Sequence, residues 1–180
     1  MFIGTYYHKL EAKGRLSLPK AFRQSASDPH NIVNNDWVIT PGLDGGLFLF
    51  VATDFQVELQ KLAQLEFNQS DARNFIRLMT NQATPVSLDK TGRLLIPEHL
   101  LQLAHLAKDA VVVGSLSRLE IWDQTAYHAL LDNINQNATS IADRIDWGMD
   151  QVGGQAKSSC PDVSSQSNFS ASLTKKKAAP

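Results

Sequence analysis

An arginine lies four residues after a carboxylate and directly after a glycine at two places in this 180-residue chain: Glu11-Ala12-Lys13-Gly14-Arg15 and Asp89-Lys90-Thr91-Gly92-Arg93. Glycine at the last position of a tight reversal supplies the positive φ that other residues resist. Gly14 and Gly92 are therefore read as turn glycines, and Arg15 and Arg93 as side chains leaving a rigid tip. A guanidinium is a planar fork of donors that matches guanine O6 and N7, or a phosphate. An acid four positions earlier, Glu11 or Asp89, can brace that fork and reduce the entropy lost on contact. Lys9, Lys13, Lys20 and Arg23 surround the first turn and would add phosphate contacts that position without reading sequence. The plain alternative is that each acid merely pairs with its arginine across a hairpin, an exposed and weak ion pair. For Lys9 and Lys20 a solvated face fits as well as a contact.

Other chemistry has little support. His8, His30, His99, His105 and His128 are scattered without ligand spacing, and Ser17 has no acid–base partner to activate it. The single cysteine, Cys160, cannot form an internal disulfide, which fits a reducing compartment. No catalytic residue, metal site or cofactor is expected, and no small-molecule substrate. Phe48, Phe50, Phe55, Trp122 and Tyr127 alternate or fall at helical spacing, so they read as core and not as base-stacking platforms.

The elements that must hold the two motifs are themselves repeated. Leu10-Glu11-Ala12-Lys13-Gly14-Arg15-Leu16-Ser17-Leu18-Pro19 returns 78 positions later as Leu88-Asp89-Lys90-Thr91-Gly92-Arg93-Leu94-Leu95-Ile96-Pro97. Downstream, Asp36–Thr40 matches Asp109–Val113, and Leu47–Phe50 matches Leu119–Trp122, with shorter offsets. The chain is a duplication with loops of unequal length. Each copy predicts two short strands around the motif turn, then a short helix opened by Pro19 or Pro97. Two further strands follow, and then an amphipathic helix. Thr53-Asp54-Phe55-Gln56 has the form of a capping box, and Asp123 is a candidate N-cap with Trp122 and Tyr127 as a hydrophobic staple. Ser70–Met79 reads as a capped linker helix.

The bulk numbers agree with a globular protein: 43% hydrophobic residues are enough to build a core. The net charge of −1 argues against a protein that coats nucleic acid by bulk electrostatics. The average hides an asymmetry, because residues 1–27 hold Lys9, Lys13, Arg15, Lys20 and Arg23 against Glu11 alone. The opening residues do not have the form of a signal peptide, and no apolar run predicts a membrane span. Residues 149–180, rich in Ser, Gly and Gln and ending near Lys175-Lys176-Lys177, read as a disordered polar tail.

The twofold use of acid-x-x-Gly-Arg, with Leu16, Leu18 and Pro19 matched by Leu94, Ile96 and Pro97, resembles the MraZ family of bacterial transcriptional regulators. The opening Met1-Phe2-Ile3-Gly4-Thr5-Tyr6 is similar to the family's start, and the resemblance covers roughly residues 1–148. It implies an α+β fold of two tandem swapped-hairpin units like those of AbrB and SpoVT, forming a small double-psi-like β-barrel with flanking helices. The expected divisions are a first repeat with its helix at 1–67, a linker helix at 68–84, a second repeat at 85–148 and the tail. It further implies a cytoplasmic, nucleoid-associated, ring-like homo-oligomer on double-stranded DNA. There it would bind short direct repeats in the promoter of the division and cell-wall gene cluster, and regulate that cluster. The family's Asp-x-x-x-Arg pattern is intact at Asp89 and Arg93, whereas Glu11 replaces the aspartate before Arg15. A rival reading is an antitoxin-like protein-binding module whose hairpins serve only dimerisation; the polar, Lys-ended tail counts against it.

Overall fold

Four strands of this chain carry apolar residues on both sides, a pattern that requires cover on both faces of a sheet. In β4 (Leu47–Val51), Leu47 and Leu49 alternate with Phe48 and Phe50, and all four are buried. The same alternation runs through β3 (Asp36–Pro41), β7 (Asp109–Leu116) and β8 (Arg118–Asp123). The computed structural model describes residues 1–26, 36–66 and 68–145, so the proposed tail lies outside the described residues. Met1–Thr139 forms one compact unit; a second begins at Ser140, within the last helix.

The remaining elements are β1 (Phe2–Lys9), β2 (Arg15–Ser17), β5 (Thr84–Ser87) and β6 (Arg93–Leu95), with helices α1 (Lys20–Ala26), α2 (Ala52–Leu62), α3 (Ser70–Thr80), α4 (Glu98–Leu103) and α5 (Gln124–Arg144). Six strands form one antiparallel sheet in the order β1-β7-β8-β4-β3-β5, and β2 pairs with β6 in a separate ribbon. On one face of the sheet, the ribbon residues Leu16 and Leu94 join Leu18, Phe22, Ile96 and Leu100 over Trp37, Ile39, Leu49, Val112 and Ile121. On the other, α2 and α3 cover Phe48 and Phe50 through Phe55 and Met79, and α5 covers Val111 and Trp122 through Tyr127. Thr40, the buried polar residue of the core, donates its hydroxyl to Met79 O at 3.0 Å, which offsets its desolvation.

The two copies exchange their first strands. β1, from the first copy, pairs with β7 of the second, and β5, from the second, pairs with β3 of the first. The matching positions Phe48 and Glu120 lie opposite each other at the centre of the sheet, and Leu16 lies opposite Leu94 in the ribbon. An approximate twofold axis therefore passes through both.

Several local expectations need correction. The segments flanking each motif turn do not form a continuous hairpin ladder. Only single bridges, Glu11 to Arg15 and Leu88 to Leu94, join them, because one arm belongs to the large sheet and the other to the ribbon. For the same reason the sheet stays open, with β1 and β5 at its edges; no closed barrel is found among the described residues. The capping box at Thr53 is not made: α2 starts at Ala52 behind Val51, which has no side chain able to cap. α3 likewise starts behind Gln69 without a side-chain cap. Asp123 does cap α5, accepting from the amides of Thr125 at 2.9 Å and Ala126 at 3.3 Å, and the Trp122 and Tyr127 rings lie 6.4 Å apart as the staple requires. The five aromatics assigned to the core are all buried.

Candidate nucleic-acid interface

Antiparallel pairing of β2 with β6 decides where the motifs meet. Arg15 lies opposite Leu95 and Ser17 opposite Arg93, with Leu16 and Leu94 between them. Side chains alternate across a strand, and Leu16 and Leu94 are fully buried. Arg15, Ser17, Arg93 and Leu95 must therefore share the outward face of the ribbon. The two arginines are diagonal neighbours there, about 7–8 Å apart at the backbone by ordinary ladder geometry. Two motifs 78 residues apart in sequence thus become one patch across the approximate twofold axis.

Each turn is closed in the same way. Glu11 N donates to Arg15 O and Gly14 N to Glu11 O; Asp89 N donates to Arg93 O and Gly92 N to Asp89 O. Gly14 and Gly92 take φ of 76° and 80°, the left-handed region that favours glycine. Each glycine also touches the other copy: Gly14 O accepts from Ile96 N at 2.9 Å, and Gly92 O from Leu18 N at 3.0 Å.

The bracing differs between the turns. Asp89 Oδ1 accepts from Thr91 N at 2.8 Å, Thr91 Oγ1 at 2.6 Å and Arg93 N at 3.0 Å, while Oδ2 accepts from Arg93 Nε at 2.9 Å. These bonds, the Thr91 hydroxyl foremost and the Arg93 amide next, hold the Asp89 carboxyl well below the usual carboxylate range. The carboxylate therefore stays charged, and the brace stays made, far into acid. Asp89, by its hydrogen bond and its charge, and then the charge of Glu11 raise the pKa of Arg93.

Glu11 was expected to brace Arg15. Instead its Oε2 accepts from Arg93 Nη1 at 3.1 Å, across the axis. Arg15 is exposed, and no side-chain partner meets it among the described residues. The longer glutamate explains the difference: its extra methylene carries the carboxylate past its own turn to the neighbouring arginine.

Lys13 is exposed in the first turn with φ of 65°. Lys9, at the end of β1, and Lys20, at the start of α1, are exposed and make no described contact with either arginine. Arg23 is half-buried; its Nε donates to Leu18 O at 3.1 Å and its guanidinium lies where a Cβ on Gly92 would stand. It packs beneath the second turn and does not point outward beside Arg15. The matching position beneath the first turn holds Leu101. Sequence reading passed over Lys90 and Leu95. Both are exposed beside Arg93, and the position of Lys90 inside the motif was the available signal.

The arrangement defines a class: a duplicated, mixed helix-and-sheet protein with an antiparallel sheet, whose halves present paired basic turns on a central ribbon. Residues 1–78 and 79–146 each match the family model for the MraZ protein, which carries an antitoxin-like label. The chain is 35% identical to the transcriptional regulator MraZ of Pediococcus pentosaceus over 150 residues, covering 83% of this chain and all of that protein. It is 36% identical to that of Alkaliphilus metalliredigens over 81% of this chain and 97% of the relative. Against that of Desulfitobacterium hafniense the identity is 41% over 71% and 84%. The chain belongs to the MraZ family.

Proposed function

We propose that this chain is a transcription regulator, not an enzyme, that grips double-stranded DNA through the outward face of its ribbon. The observation that carries this reading is the convergence of Arg15 and Arg93 on one exposed face, flanked by Lys13 and Lys90. Arg93 would read guanine edges in the major groove, and Lys13, with Lys9 and Lys20 at the periphery, would meet phosphates. Arg23 then serves the turn from below. The exchange of β1 and β5 between the halves supports a swapped-hairpin description of the fold. The relatives' shared name supports regulation.

One ribbon offers few contacts, and the chain's net charge is −1. Useful affinity then comes from several subunits of a ring-like homo-oligomer engaging short direct repeats spaced near one helical turn, about 10 bp. The proposed target is the promoter of the division and cell-wall gene cluster, in the nucleoid. Fluorescence anisotropy with duplexes from that promoter, carrying one repeat or three, tests the reading. Much tighter binding to three repeats is expected; equal affinity contradicts the multivalent mechanism, and no binding contradicts the assignment. The family model's antitoxin-like label favours a second reading, in which the same face binds a protein; a chain that ignores DNA but forms a stoichiometric complex with a partner protein would establish it.

A further inference from the structure

The approximate twofold symmetry of the ribbon is broken in its ion pairing. Backbone closure is the same in both turns, yet both carboxylates bind the same arginine: Asp89 takes Arg93 Nε and Glu11 takes Arg93 Nη1. A guanidinium has five N–H donors. Asp89 and Glu11 occupy two of them on Arg93, one from each half of the chain. That restrains the plane of the group and leaves both Nη2 protons and one Nη1 proton unengaged by either carboxylate. A bidentate contact needs two parallel donors. Arg15 has all five donors unengaged among the described residues.

We infer that the two arginines divide the work, with Arg93, braced from both halves, selecting bases, Arg15 holding phosphate, and Glu11 acting as a positioning residue for Arg93. This rests on the DNA-binding reading above and assigns roles within that face. A pre-oriented fork loses little freedom on binding and demands a partner of matching geometry, so it discriminates. An unrestrained guanidinium adapts to any phosphate and contributes chiefly salt-dependent, sequence-independent affinity. The identity of residue 11 is the switch. Glu11 Oε2 reaches Arg93, whereas an aspartate at position 11 would be too short to do so. Its nearest arginine would instead be Arg15, which follows it by four positions as Arg93 follows Asp89.

The test uses the full-length chain and two duplexes: one enriched by the wild-type protein from a random 20-bp pool, and a scramble of the same composition. Arg93→Ala is expected to cut the ratio of affinities about tenfold. Arg15→Ala should weaken both duplexes alike, leave the ratio within about twofold, and lower the slope of log affinity against log salt by about 0.9. Glu11→Gln and Glu11→Asp should each lower the ratio about threefold without loss of affinity for the scramble. A readout free of DNA accompanies these: guanidinium NMR should show restricted Nη rotation at Arg93 in the wild type. That restriction should be lost in Glu11→Gln, and in Glu11→Asp it should move to Arg15. If Arg15→Ala lowers the ratio as much as Arg93→Ala, or Glu11→Gln leaves both ratio and Nη signals unchanged, the division of roles is wrong while DNA binding stands. If the pool yields no enriched duplex, base reading itself fails and the division of roles falls with it.

Discussion

Gly114 marks the place where the exchanged strand β1 passes closest to β7, and a methyl group there should unseat it. Gly114 lies opposite Gly4 in the pairing. A Cβ built on Gly114 would stand 2.5 Å from Ile3 N, 2.6 Å from Phe2 C and 2.9 Å from Ile3 Cα, all backbone atoms. Ordinary contact begins near 3.4 Å, so the start of β1 must retreat by roughly 1 Å, more than a packed sheet absorbs without loss. Phe2, 2% exposed, would be drawn back from Phe22 and Trp37, whose rings lie 5.9 and 6.1 Å away. Complete truncation of a core phenylalanine costs about 3–5 kcal/mol, and each lost backbone bond about 0.5–1.5 kcal/mol net. A partial withdrawal of Phe2 with one or two broken bonds gives about 3 kcal/mol for Gly114→Ala. Urea denaturation followed by tryptophan fluorescence reads this directly; at an m-value of about 1.5 kcal/mol/M the midpoint falls by about 2 M. Gly45→Ala is the comparison, because a Cβ there meets nothing within 4 Å and only its positive φ (94°), a strain Gly114 lacks, opposes the substitution. It should cost only about 1 kcal/mol. A loss below about 0.5 kcal/mol for Gly114→Ala would show that β1 does not pack on β7 as described.

Gly92→Ala should cost about 1–3 kcal/mol by the same denaturation assay, since it combines a positive φ with displacement of the Arg23 guanidinium. Leu94→Ala removes a fully buried side chain opposite Leu16 at the centre of the ribbon, and should cost about 2–5 kcal/mol. Burial lowers the pKa of His8, and its Nε2 has no hydrogen-bond partner among the described residues. The unfolded chain therefore takes up a proton that the folded chain refuses. Stability is full above the ordinary value of 6.5 and declines as pH falls from there toward the lowered folded value. Comparing urea midpoints at pH 7.5 and 5.5 should show this loss in the wild type and a smaller one in His8→Gln.

The sequence made some features legible and concealed others, and the boundary is physical. Gly14 and Gly92 were readable because a tight reversal followed by arginine has few local solutions. The core aromatics were readable because strict alternation with aliphatic residues leaves only two-sided burial. Asp123 was readable as a cap because its partners are two and three residues away. Strand exchange was not readable from local pattern and was implied only by the family resemblance. Val86-Ser87-Leu88 and Arg93-Leu94-Leu95 look like arms of one hairpin, and only tertiary competition sends one to β3 and the other to β2. Glu11 was misassigned for the same reason: its partner Arg93 is 82 positions away, beyond any local rule. Thr53 failed as a cap because α2 begins two residues earlier than the pattern suggested, directly off β4.

The most direct test of the account is the binding of the Arg15→Ala/Arg93→Ala double variant to promoter DNA, measured by anisotropy across a salt series beside Lys20→Ala. The account predicts that the double variant folds and assembles like the wild type, yet loses sequence preference and roughly 100-fold or more in affinity. Lys20→Ala should lose only a few-fold. Wild-type affinity and preference in the double variant would contradict the claim that the outward face of the ribbon is the DNA-binding surface.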